Sequence, residues 1–188
     1  MQRQVSKKLI ASGKWLTLSQ IQYVSHDGTT RIWETAGRKE SRSAVGILAT
    51  FKNTGEIVLI RQYRPPLDRF VIEFPAGLID PGETPAEAAL RELKEETGYT
   101  GKIIRIFSNT YPSPGMSEET ISLVRMVIDP AEQKDLRTDF DDSESIETFI
   151  VNPAEASLFL EEAVKRGDVI DSKVQAFFTG LCGLNDPE

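Results

Sequence analysis

One segment constrains this chain more than any other: a helix with both of its ends written into the sequence. Thr84-Pro85-Ala86-Glu87 reads as a capping box with proline at the first helical position. Gly98 supplies the residue that leaves a helix through the left-handed region. Local chemistry therefore predicts a helix over 85–97. At about 100° per residue, Ala86, Ala89, Leu90 and Leu93 share one face, which is expected to be the core face. Glu92 and Glu96 lie four apart and project together beside that stripe. Glu95 sits a step further round, with Arg91 four residues before it. Like charges at this spacing repel by roughly 0.2–0.5 kcal/mol per exposed pair. A solvated helix face accounts for such a cluster, and so does a hard divalent cation held by carboxylate oxygens. Charge pattern alone favours the solvated face.

The remaining composition narrows the alternatives. The chain has 188 residues, enough for one domain with a small extension and a core that needs no staples. With 22 Lys+Arg against 29 Asp+Glu the formal charge is -7, which disfavours non-specific binding to nucleic acid or to an anionic membrane. The single cysteine, Cys182, excludes an internal disulfide and a cysteine-cluster zinc site, and its apolar surroundings suggest core. The single histidine, His26, excludes a multi-histidine metal site and falls in an expected turn, a poor place for a catalytic base. No apolar run approaches the ~20 residues of a membrane span, and no signal sequence opens the chain, so a reducing cytoplasmic setting is expected.

Before the helix, β-rich runs at Trp15–Leu18, Ile21–Val24 and Thr30–Thr35 flank an Asp27-Gly28 hairpin signal. Ala44–Thr50 and Glu56–Gln62 flank a second hairpin at Asn53-Thr54-Gly55, and Arg69–Phe74 reads as another strand. After the helix come strands near 102–108 and 119–128, an acidic loop over 129–145, a strand at Ile146–Val151, and helices near 153–166 and 171–182. Strands and helices mix without regular alternation. That predicts an α+β or α/β/α sandwich rather than a doubly wound sheet.

Gly77, Glu83 and Arg91-Glu92-Leu93-Lys94-Glu95-Glu96-Thr97-Gly98-Tyr99 fit the spacing G-x5-E-x7-R-E-U-x-E-E-x-G-U. On this motif the chain resembles the Nudix hydrolases, with Tyr99 aromatic where an aliphatic residue is commoner. The resemblance reverses the preference for a bland acidic face. It implies that Glu92, Glu96 and the carbonyl of Ala76 ligate Mg2+, with Mn2+ as a substitute. It also implies that Glu95 faces the site, that Arg91 holds the carboxylates, and that Glu83 ties loop to helix.

Features outside the motif resemble the branch that cleaves ADP-ribose and other nucleoside diphosphate sugars. They are Gln62-Tyr63-Arg64-Pro65-Pro66, Ile72-Glu73-Phe74-Pro75-Ala76-Gly77, and Ser113-Pro114-Gly115-Met116-Ser117-Glu118, with Pro114 fifteen residues beyond Tyr99. The likeness implies two regions. Residues 1–42 form a small antiparallel sheet used in a homodimer and in base stacking, and residues 43–188 form the hydrolase domain. In that scheme Trp15, Trp33, Glu34, Gly115 and Met116 meet the substrate, and Arg38 and Arg64 bind diphosphate oxygens. The general base is Glu144 in the acidic loop, with Asp142 as a possible helper. GDP-mannose hydrolysis and, more remotely, a non-catalytic sensor remain as alternatives.

Overall fold

The computed structural model describes residues 1–39, 43–140 and 145–183, the side chains of 181–183 excepted. Arg42, Asp142, Glu144 and the side chain of Cys182 therefore lie outside the described residues.

Among the described residues, two sheets organise the chain. The first is three-stranded and antiparallel, β1 (Arg3–Ser12), β2 (Leu16–Val24) and β3 (Thr30–Arg38). Its second hairpin closes where Gly28 takes φ 81° and the Asp27 carboxylate accepts from the Thr29 amide at 3.0 Å. β1 carries no clear alternation, and sequence reading did not anticipate it. The larger sheet has eight strands: β4 (Ala44–Phe51), β5 (Ile57–Arg64), β6 (Arg69–Glu73), β7 (Ala76–Leu78), β8 (Lys102–Thr110), β9 (Ile121–Ile128), β10 (Ile146–Val151) and β11 (Val169–Ile170). Its main path runs β11-β6-β5-β4-β9-β8, with β10 paired to β5 and β7 to β4. The β4–β9 and β6–β11 pairs are parallel and the others antiparallel, so the sheet is mixed.

Alternation along the central strands divides the core between the two faces. Val45, Ile47, Ala49, Val58, Val124 and Met126 meet α1 (Pro85–Thr97) through Ala88, Ala89 and Leu93. Ile57, Leu59, Ile72 and Val151 meet α2 (Ala156–Lys165) and α3 (Ser172–Gly183) through Ala156, Leu160, Ala163, Val174 and Phe178. The result is a three-layer α/β/α arrangement in which full burial of each aliphatic side chain contributes about 1.5–3 kcal/mol.

Helix α1 begins and ends as its caps require. Thr84 accepts from the Glu87 amide, the Glu87 carboxylate accepts from the Thr84 amide, and Gly98 leaves at φ 75°. Its buried face differs from the wheel. Leu90 is 44% exposed and Ala86 only half-buried, whereas Ala88, Ala89, Leu93, Glu96 and Thr97 are buried. The helix docks close to β4 and β9 on small residues. That rotates Leu90 to the solvent side and turns Glu96 inward.

On the opposite face Asp168 is buried and accepts from Arg61 Nε at 3.0 Å and from Arg166 Nη2 at 3.1 Å, with the Arg61 guanidinium 3.7 Å from the Phe70 ring centre. This ties β5 to the turn before β11. Asp168→Asn is expected to destabilise the fold by about 2 kcal/mol, because two arginines lose a charged acceptor while keeping partial solvent access. Urea denaturation checks this, and a midpoint unchanged from wild type would contradict it.

Candidate active site

Three elements bring the motif residues together. β7 pairs with the start of β4 and carries Ala76 and Gly77. The turn after it holds Asp80 and Glu83, and α1 supplies Arg91, Glu92, Glu95 and Glu96. Arg91 is the hub. Its Nε donates to Glu83 Oε1, Nη2 to Glu83 Oε2, and Nη1 to both Glu92 Oε1 and Glu95 Oε2, each at 2.9 Å, while Nη2 also reaches the Leu78 carbonyl at 3.0 Å. Glu83 in turn accepts from the Asp80 amide at 3.0 Å and so joins turn to helix. Glu96, 2% exposed, accepts from the Ala76 amide at 3.0 Å. Glu92 lies directly over Gly77: a Cβ there would stand 1.8 Å from Glu92 Oε1. Glycine is required here by close approach rather than by a turn.

The Glu83 hydrogen bonds, followed by those of Glu92 and Glu95, hold Arg91 charged even more firmly than usual. Its guanidinium conversely keeps the Glu83 carboxyl below the ordinary carboxylate range. Glu73 behaves oppositely: burial pushes it up, partly offset by Arg64. These shifts have opposite signs in stability. Glu83 contributes stability that is complete above its unfolded value of about 4.3 and is lost as pH falls through its lower folded value. Glu73 contributes only below about 4.3, and that contribution vanishes as pH rises through its raised folded value. Glu83→Gln is therefore expected to flatten the acid limb of Tm against pH below about pH 4.3. Parallel limbs for variant and wild type would contradict this.

Of the motif residues, Gly77, Arg91, Glu92 and Glu95 line a cleft of about 570 Å³ whose walls also include Arg38, Gln62, Arg64, Ala76, Asp80, Asp139 and Phe140. Glu96 sits buried behind it. Every anionic donor is a hard oxygen, which suits a divalent cation of the magnesium type. Among the described residues no three acidic, histidine or cysteine side chains converge as a ready-made cage. Arg91 instead spans Glu92 and Glu95, so cation binding must compete with that guanidinium.

Trp15, Trp33, Glu34, Gly115 and Met116 are not among the residues lining this cleft. Trp33 Nε1 donates to the Gly115 carbonyl at 2.9 Å, and the Met116 carbonyl accepts from the Ala36 amide at 2.9 Å and from Thr35 Oγ1 at 3.0 Å. Strand β3 is thereby docked on the 113–117 turn, and Trp33, Gly115 and Met116 share one place. Trp15 is 69% exposed beneath the Lys14 ammonium, and Glu34 is exposed on the opposite side of β3 from Trp33. Arg38 pairs with Glu119, and Arg64 with Glu73 at 2.8 Å. Sequence reading did not single out Gln62, Glu73, Glu119 or Asp139 as site residues. Gln62 and Glu73 stand in strand patterns as isolated polar residues at inward positions, which was the available signal. Gln62 Oε1 is buried and has no hydrogen-bond partner among the described residues.

Comparison with known proteins bears on the family and the fold. The chain is 40% identical over 182 residues to the ADP-ribose pyrophosphatase of Saccharomyces cerevisiae, covering 89% of this chain and 77% of the relative. It is 38% identical over 130 residues to the ADP-sugar pyrophosphatase of Mus musculus, covering 65% and 60%. A crystal structure of an ADP compounds hydrolase superposes with TM-score 0.64 at 24% identity over 85% of this chain and 83% of that one, a likeness of fold. The NUDIX domain matches residues 40–172. With the motif residues gathered at one cleft and the domain matched across most of the chain, this protein belongs to the NUDIX domain family, whose hydrolases generally need a divalent metal.

Proposed function

We propose that this protein hydrolyses the diphosphate bond of a nucleoside diphosphate sugar, ADP-ribose first among them, giving AMP and a sugar phosphate with Mg2+ as the cation. The observation that carries this reading is the convergence of Glu92, Glu95, Ala76 and Gly77 with Arg38 and Arg64 in one cleft. The relatives named as ADP-ribose and ADP-sugar pyrophosphatases support the choice of substrate.

Glu92, Glu96 and the Ala76 carbonyl would hold the cation, with Mn2+ an alternative occupant. A bound divalent ion neutralises the diphosphate and makes a water more acidic. Arg91 keeps Glu92 and Glu95 aligned along the cleft wall. Arg38 and Arg64 offer the planar forks that suit phosphate oxygens. The proton of the attacking water goes to a carboxylate, for which we nominate Glu144, with Asp142 as its possible helper. The chain on either side of them supports this: Asp139 and Phe140 line the cleft, the Asp139 amide donates to the Glu95 carbonyl at 2.9 Å, and Ile146 pairs with Gln62.

Residues 1–42 are proposed as the dimerisation and base-stacking region and residues 43–188 as the hydrolase domain. On β1 to β3, Val5, Leu9, Ile10, Leu16, Ile32 and Trp33 are exposed. A small sheet with so much uncovered apolar surface needs a partner for stability, and a second copy of this chain supplies one. We assign contact with a purine entering between subunits to Trp15, Trp33, Glu34, Gly115 and Met116, a reading supported for Trp33 and Gly115 by the hydrogen bond that joins them. The single cysteine suits a reducing cytosolic setting.

A panel of ADP-ribose, GDP-mannose, UDP-glucose and nucleoside triphosphates, with product chromatography in Mg2+ and in excess EDTA, tests this. AMP release from ADP-ribose that stops in EDTA is expected. Preference for GDP-mannose would move the substrate, and binding without turnover would make the protein a sensor.

A further inference from the structure

Among the described residues three arginines line the cleft, and each is held through the same atom. The Nε–H of Arg38 donates to Glu119, that of Arg64 to Glu73, and that of Arg91 to Glu83. Arg91 also commits its outer nitrogens to Glu83, Glu92, Glu95 and the Leu78 carbonyl. The Arg64 side chain does not: among the described residues Glu73 is its only hydrogen-bond partner, at 2.8 Å.

The sheet register makes this contact informative. In the antiparallel pair of β5 and β6, Glu73 stands opposite Ile60 and Arg64 opposite Arg69. Ile60, Gln62 and Arg64 share one face of β5, and paired residues point the same way, so Glu73 lies on that face four strand positions back from Arg64. An arginine at the end of a strand would otherwise project outward into solvent. Reaching Glu73 folds its side chain back across Gln62 and over the sheet, which places the guanidinium on the cleft wall. Glu73 is 8% exposed and sits on a strand, so it is a rigid anchor. The Arg38–Glu119 pair is more open on both sides.

We propose that Glu73 is a positioning residue that folds Arg64 back over β5 and fixes its guanidinium, so that the two outer nitrogens meet a diphosphate as a planar pair. This rests on the reading of Arg64 as a diphosphate ligand. Stability alone gives little reason for such a pair, since a buried ion pair is commonly matched by apolar residues of similar volume. Holding a fork in register for bidentate contact does give one.

Steady-state kinetics with ADP-ribose and Mg2+ on wild type, Glu73→Gln, Arg64→Ala and the double variant test it. Glu73→Gln is expected to raise KM about tenfold with kcat within about twofold, because Arg64 meets charge already present in the bound substrate. The double variant should match Arg64→Ala alone, since Glu73 acts only through Arg64. An unchanged KM in Glu73→Gln, or KM effects that multiply in the double variant, would overturn the proposal. If Glu73→Gln folds poorly, Glu73→Asp keeps the charge but draws it back by one methylene. A raised KM at wild-type Tm is then expected, and a wild-type KM counts against the proposal. Wild-type protein inert toward every diphosphate sugar would instead sink the proposed function and this inference with it. An active wild type beside unmoved variants sinks Glu73 alone.

Discussion

Glu96→Gln is expected to lower kcat for ADP-ribose by roughly a thousandfold, the several kcal/mol that a lost metal ligand costs in the transition state. Folding should survive. The glutamine oxygen still accepts from the Ala76 amide where Glu96 does now, and a neutral amide is easier to bury than a carboxylate. The loss therefore lies in charge and cation affinity. Calorimetric Mn2+ titration and turnover in Mg2+ should fall together. Glu87→Gln serves as the control, because glutamine also completes a capping box and, among the described residues, the Glu87 carboxylate hydrogen-bonds only to Thr84. Turnover of Glu96→Gln within threefold of Glu87→Gln would remove Glu96 from the cation site.

The second large effect comes from one methyl group. In Gly77→Ala the new Cβ would lie 1.8 Å from Glu92 Oε1 and 1.9 Å from its Cδ, so the carboxylate must leave its seat. What it meets is the far end of a flexible side chain, so the backbone pairing of β7 to β4 can persist and Tm should change little. Activity should fall by about a hundredfold or more, since misplacing a reacting group by about 1 Å already costs that much. Thermal melts beside kcat separate the two outcomes. Full activity in Gly77→Ala would show that Glu92 need not stay where the structure puts it.

Much of this arrangement was readable in the chain because local chemistry sets it. The bounds of α1 follow from Thr84, Pro85, Glu87 and Gly98 acting over a single turn each. The Asp27-Gly28 and Asn53-Thr54-Gly55 hairpins likewise depend on their own turn residues, and Ile146–Val151 is a strand as its pattern implies. The three-layer arrangement follows from the irregular mixture of elements, and the motif spacing locates the cleft.

What escaped reading is set by contacts distant in sequence. Leu90 belongs to the apolar stripe by angle alone. Ala88 displaces it because close docking on β4 and β9 rewards a small side chain over a large one. β7 is three residues long and exists because β4 offers it an edge. Arg38 finds Glu119 across 81 residues, and no local pattern announces such a pair. Gln62 and Glu73 were visible as polar residues inside strands, but what each one faces depends on the register of β5 against β6.

The hydrogen bond from the Ala76 amide to Glu96 has a wider consequence. It spans from an edge of the large sheet to the inward side of α1, and Arg91 bridges the same two parts through Leu78 and Glu83. Loop and helix thus cannot separate by a local opening, because each is stapled to the other at two points and both are bonded into the core. The cation seat shares the cooperativity of the whole domain, so its amide protons should exchange only when the protein unfolds globally.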